Sequence, residues 1–177
     1  MINGSDMAQA ATHASDSGAI GVRPEHYRHI LLPFDASIVA HRALDEAIAL
    51  ARERGARIEL FHMFDPAAHV SGFEPGRLLV EELLPRARTQ ARSDLEAAAQ
   101  SVRSAGVECD MCLIEGDVGD LPDAIVRQVS KTGADLVVMG THGRTGIDRI
   151  LEGSIAEQLL RRANVPVLLI RAADDQG

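Results

Sequence analysis

Positive charge is scarce in this chain: 18 lysines and arginines face 26 aspartates and glutamates, for a formal net charge of -8. That balance lacks the basic footprint that nucleic acid or an anionic membrane surface requires, so any polyanion has to be held at a local site. Lys131 is the sole lysine, and a mechanism that needs one has that single candidate. Aromatic residues are 3% of the chain and tryptophan is absent. Long apolar runs are missing as well. The longest, such as Val165–Ile170, have strand length, far from the roughly 18 residues of a membrane span. Met1–Gly21 mixes Ala, Ser, Asp, Gly and Thr without the cationic start and apolar segment of a secretory signal, and a cytoplasmic location is expected.

What is present fits one globular domain: 177 residues, 46% hydrophobic and 25% charged. Residues 1–26 carry small polar residues without any period and read as a disordered N-terminal extension. The folded domain is expected over 27–172, followed by a short tail over 173–177. The two cysteines, Cys109 and Cys112, form a C-x-x-C inside Val107–Ile114. A strand there sends residues three apart to opposite faces and offers no helix N-terminus to lower a thiol pKa, so neither a shared metal nor redox chemistry is expected.

From His29 onward apolar runs of strand length alternate with segments of helical period. Ile30–Phe34 ends at Asp35-Ala36-Ser37, and Ala43, Leu44, Ala47, Ile48 and Ala51 then recur on one helical face as far as Gly55. Arg57–Met63 reads as a second strand, and 65–85 as an irregular stretch punctuated by Gly and Pro. Ala87, Ala91, Leu95, Ala98 and Val102 resume the helical spacing until Gly106. Val107–Ile114 is a third strand, Leu121–Lys131 a helix capped by Asp120, and Asp135–Met139 a fourth strand almost without polar residues. Ser154–Arg162 is a last helix and Val165–Ile170 a fifth strand, which Pro166 assigns to an edge. The pattern predicts an α/β domain: a single open five-stranded parallel sheet, doubly wound, with helices on both faces. With the strand order 3-2-1-4-5, the reversal at which ligands bind falls between strands one and four.

Two loops meet there. One is Asp35-Ala36-Ser37. The other follows strand four and contains Gly140, Gly143, Gly146 and Gly153 before Ser154, in the spacing G-x2-G-x9-G-S; five of the 15 glycines lie between Gly133 and Gly153. Glycines let backbone N–H groups come close to an anion, and the free N–H groups of a helix beginning at Ser154 favour phosphate. Ser154-Ile155-Ala156-Glu157 also matches a capping box, and one hydroxyl can both accept from the helix and donate to a phosphate. The P-loop pattern is absent, and cationic help would come from Arg144, Arg149 or a protonated His142.

Ile30-Leu31-Leu32-Pro33-Phe34-Asp35-Ala36-Ser37, Ala134–Gly140, the glycine spacing and Val165–Ile170 together resemble the universal stress protein (UspA) family, over roughly 27–171. The resemblance implies the sheet order 3-2-1-4-5, a homodimer through the last strand Val165–Ile170 and, in the branch with the full glycine signature, bound ATP, with or without Mg2+. It implies a base lying against Asp35 and Met63 with Met139 beneath, and Ser37 at the same strand end. Gly140, Gly143 and Arg144 would hold ribose and phosphates, and Gly153, Ser154 and Ile155 the terminal phosphates. Family members often have glycine in place of Ala36 and valine in place of Met63. The function implied is a nucleotide-responsive binding module of the stress response. The alternatives are a slow ATPase or autokinase using the same pocket, and a dimeric scaffold with a vestigial loop.

Other candidates have plainer explanations. Asp117 and Asp120 could hold magnesium, but turn and cap positions favour aspartate in their own right. His62 in strand two reads as a packed residue, and no metal site is assigned. Asp35 as a general base or magnesium ligand has no nucleophile near it in sequence. The segment 70–88 is a candidate lid or partner surface.

Overall fold

The computed structural model describes residues 27–69, 76–141 and 155–171. The proposed N-terminal extension, the tail and the loop from His142 to Ser154 lie outside the described residues. Five strands, β1 (His29–Pro33), β2 (Arg57–Phe64), β3 (Cys109–Glu115), β4 (Leu136–Gly140) and β5 (Val167–Ile170), form one parallel sheet in the order β3-β2-β1-β4-β5. The expected fold class and strand order are both found, with β5 at an edge.

Parallel strands covered on both faces need apolar residues on both, and consecutive residues divide between two cores. Ile30, Leu32, Ile58, Leu60, Leu136 and Val138 pack under α1 (Ile38–Arg54) and α3 (Leu84–Ser104). Leu31, Phe61, Val137 and Met139 pack under α4 (Leu121–Thr132) and α5 (Ile155–Arg162). Cys109 belongs to the first core and Cys112 to the second. Burial pushes the Cys109 thiol up to about 11 and raises that of Cys112 as well. Both are free cysteines, protonated at neutral pH and on opposite faces, as the alternation of a strand requires.

Two local expectations are corrected. The stretch 65–85 is not irregular throughout: a 3-10 turn covers Ala67–His69, and a helix starts at α2 (Gly76–Leu78) and runs on through a π turn (Leu79–Leu83) into α3. Pro85, which reads as a helix breaker, is accommodated because the wider π turn just before it relieves the i–4 crowding a proline imposes. Nor does Asp120 cap α4. Its backbone is already helical and its side chain makes no cap bond. The capping carboxylate is Asp117, extended in backbone and accepting from Gly119 N at 2.7 Å, at the head of a 3-10 turn that leads into the helix.

Candidate functional site

β1 and β4 part company towards their carboxyl ends. The ladder between them consists of Ile30↔Leu136 and Leu31↔Val137, whereas β1 stays paired with β2 as far as Pro33↔Phe61 and β4 with β5 as far as Gly140↔Ile170. Proline explains the difference. Along a parallel strand, alternate residues bond to alternate neighbours. His29 O accepts from Asp135 N on the β4 side, while Arg28 O and Phe34 N bond to Arg57 N and Phe61 O on the β2 side. Pro33 therefore faces β4, and without an N–H it cannot continue that ladder. The sheet opens at its topological switch point, where doubly wound folds receive ligands.

Past Pro33 a tight loop leads into α1. Asp35 Oδ1 accepts from Ser37 N at 3.0 Å, forming an Asx turn. Ser37 is the N-cap of α1, its hydroxyl accepting from Ala40 N at 3.1 Å. Between them Ala36 sits at φ +59°, a left-handed conformation that costs a non-glycine residue about 1–2 kcal/mol. A glycine would hold this conformation without that cost, and this chain carries the strain in its absence. Histidines flank the loop on both sides. His62 Nδ1 lies 2.6 Å from Phe34 O, and His41 Nδ1 lies 2.9 Å from Ser37 O with its ring edge-on to Phe34.

Across the opening, Gly140 closes β4 for a reason of its own. A Cβ there would stand 2.7 Å from Val39 Cγ1 and 3.3 Å from the Val39 carbonyl carbon, so the first turn of α1 rests directly on the end of β4. Met63 and Met139 both belong to the α4/α5 side of the sheet, Met139 buried and Met63 half-buried with its thioether lying 3.4 Å from where a Cβ on Gly116 would be. Ile155 opens α5 and packs against the same core. Asp35, Ser37 and Gly140 therefore sit at the carboxyl ends of β1 and β4, with Met63 at the end of β2 and Met139 one residue before Gly140. Gly143, Arg144, Gly153 and Ser154 lie outside the described residues. Among the described residues no group of three or more His, Cys, Asp or Glu could hold a metal ion. Asp117 and Asp120 remain turn residues, and no described helix is long and apolar enough to cross a membrane.

One polar cluster escaped the sequence reading. At the opposite end of the sheet Glu59, 5% exposed, is bonded by Gln128 Nε2 and stands 3.3 Å from His29 Nε2. Arg57 approaches His29 Nδ1 at 3.0 Å and bonds Asp110 at 2.9 Å. The signal was there to be read: an acid amid Ile58, Leu60 and Phe61, in a strand covered on both faces, has to have buried partners.

An open parallel sheet of order 3-2-1-4-5, parted at the switch point between an Asx-turn loop and a strand-ending glycine, defines a doubly wound α/β domain. The universal stress protein family profile matches residues 26–171. A universal stress protein of Methanocaldococcus jannaschii is 33% identical over 146 residues, 82% of this chain and 82% of that protein. Among solved structures, a universal stress protein family member from Burkholderia pseudomallei aligns with TM-score 0.61 at 33% identity, over 82% of this chain and 97% of its own. A universal stress protein from Archaeoglobus fulgidus, solved in complex with dAMP, aligns with TM-score 0.54 at 27% identity, over 81% and 98% of the two chains. This chain belongs to the universal stress protein family.

Proposed function

We propose that this protein binds ATP at the opening between β1 and β4 and acts as a nucleotide-responsive binding module. The observation that carries the reading is the end of the β1–β4 ladder before Pro33, with Asp35 just beyond β1 and Gly140, the first residue of the G-x2-G-x9-G-S segment, closing β4. The dAMP complex of the Archaeoglobus relative supports an adenine nucleotide as the ligand class. In this reading the base lies at the Asp35 and Met63 end over Met139. Gly140, Gly143 and Arg144 take ribose and phosphates, and Gly153, Ser154 and the first turn of α5 at Ile155 take the terminal phosphates, where free helix N–H groups favour anions. Mg2+ would accompany the triphosphate. The deciding experiment is calorimetric titration of the purified protein with ATP. Wild type is expected to bind one ATP per chain, and Gly143→Val to lose at least a hundredfold in affinity with a native circular dichroism spectrum, because a β-branched side chain fills the space where backbone meets phosphate. Unchanged ATP affinity in Gly143→Val would remove the glycine loop from the site.

We further propose a homodimer through the β5 edge, because an uncovered apolar edge strand invites pairing with its own copy. Val167 and Leu169 turn inward to the α4/α5 core, but Leu168 faces the other way and is 37% exposed. Leu168→Lys therefore tests the edge with least damage to the fold. Sedimentation should show a dimer for wild type and a monomer for the variant at micromolar concentration, and a wild type that is already monomeric there would exclude the interface.

A further inference from the structure

The carbonyl of Phe34 is held by a side chain. Phe34 N still donates to Phe61 O at 2.9 Å, extending the β1–β2 ladder one residue beyond Pro33. Its carbonyl instead faces His62 Nδ1 at 2.6 Å. A carbonyl oxygen can only accept, so Nδ1 carries the proton and the contact is a short N–H···O bond. His62 lies on the α3 side of the sheet, where with Phe34, Asp35, Ala36, Ala91 and Asp94 it lines a cavity of about 10 Å3, the scale of a single water. The residue that follows this pinned carbonyl is Asp35, and next comes Ala36, which holds φ +59° without the help of glycine.

We propose that His62 is a positioning residue for the base-binding end of the nucleotide pocket. By fixing the Phe34 carbonyl, it sets the peptide plane from which the Asp35 turn springs and holds Ala36 in a conformation its own side chain disfavours. The direction of the Asp35 carboxylate is then determined from both sides, by the His62 bond before it and by the Ser37 N–H bond after it. A glycine at position 36 would need no such restraint to occupy the left-handed region. In this chain the restraint comes from β2, which also contributes Met63 to the same end of the site.

This inference rests on the nucleotide reading, and the experiment separates the two. Adenosine and tripolyphosphate are titrated into wild type, His62→Leu and His62→Asn, each alone and with Asp35→Ala. Asparagine places an amide N–H near the position of Nδ1, whereas leucine offers no donor. His62→Leu is expected to bind adenosine about tenfold more weakly and tripolyphosphate within about twofold of wild type, with His62→Asn recovering most of the adenosine affinity. In the Asp35→Ala background the further loss from His62→Leu should shrink to less than about twofold, because both changes act on one carboxylate. Amide exchange at Ser37 in the ligand-free protein should be faster in His62→Leu and restored in His62→Asn. A merely structural histidine would weaken both ligands alike, or would keep its full effect without Asp35, and either result overturns the proposal. A wild type that binds neither adenosine nor ATP overturns the nucleotide reading itself and this inference with it.

Discussion

Gly140→Ala is expected to destabilise the ligand-free protein by about 1–3 kcal/mol, the range of an overpacked core position. The added Cβ would lie 2.7 Å from Val39 Cγ1, 3.1 Å from Val39 Cβ and 3.3 Å from its carbonyl carbon. Valine in a helix is held to one rotamer and cannot swing its methyl aside, and a backbone atom yields only if the helix moves. The accommodation is therefore a shift of the first turn of α1. That turn is joined to the Asp35 loop through the Ser37 cap, so the same substitution should also weaken adenosine binding at the base end. Val39→Ala removes the closest atom but leaves the other two, so it should recover part of the stability in the double variant and show a coupling of about 0.5 kcal/mol or more. Thermal unfolding of the two single variants and the double variant measures it. If Gly140 is glycine only so that a phosphate can approach, Gly140→Ala will keep wild-type stability without ligand, and the helix contact will have been given too much weight.

Gly140 also marks where sequence reading stops. Strand and glycine were legible because a continuous apolar run ended by glycine is a local signal, and because alternating strand and helix periods restrict a doubly wound sheet to few topologies. The contact with Val39 is not local: it depends on how closely α1 settles on β4, a distance that no spacing within either segment encodes. The same holds for His62. Its place in an apolar strand was visible, but its bond to Phe34 O joins residues 28 positions apart and follows from the register between β1 and β2. Pro33 was legible as a residue yet not as the cause of the opening, since that depends on which neighbour odd-numbered residues of β1 face. Asp120 and 65–85 were misread for a different reason. Aspartate is favoured at caps and proline disfavoured in helices, and in both places a short 3-10 or π turn altered the geometry on which those preferences rest.

The largest loss of stability is expected at the far end of the sheet, from Glu59→Ala. Arg57 Nη2 and the Thr132 carbonyl oxygen both approach His29 Nδ1, at 3.0 and 3.3 Å, while His29 Nε2 faces the Glu59 carboxylate across 3.3 Å. Gln128 donates to the other carboxylate oxygen. Burial by itself raises the Glu59 carboxyl, but His29 facing one carboxylate oxygen and the Gln128 amide bonded to the other outweigh it, and its pKa lies below the usual value. The ionised form is thus the one the fold prefers. Removing it leaves His29 and Gln128 buried opposite a void, a loss of about 3–5 kcal/mol for breaking a buried pair from one side. The sign of the pH dependence follows. A carboxyl with a depressed folded-state pKa contributes its stability above the unfolded value, and loses that contribution as pH falls through the folded one. Wild type should therefore lose stability on acidification more steeply than Glu59→Ala, and the gap between them should narrow as pH falls below the ordinary glutamate range. Urea unfolding of both proteins at neutral pH and at successively lower pH reads this directly. A gap that stays constant with pH would mean that Glu59 contributes by filling space, with its charge irrelevant to the fold.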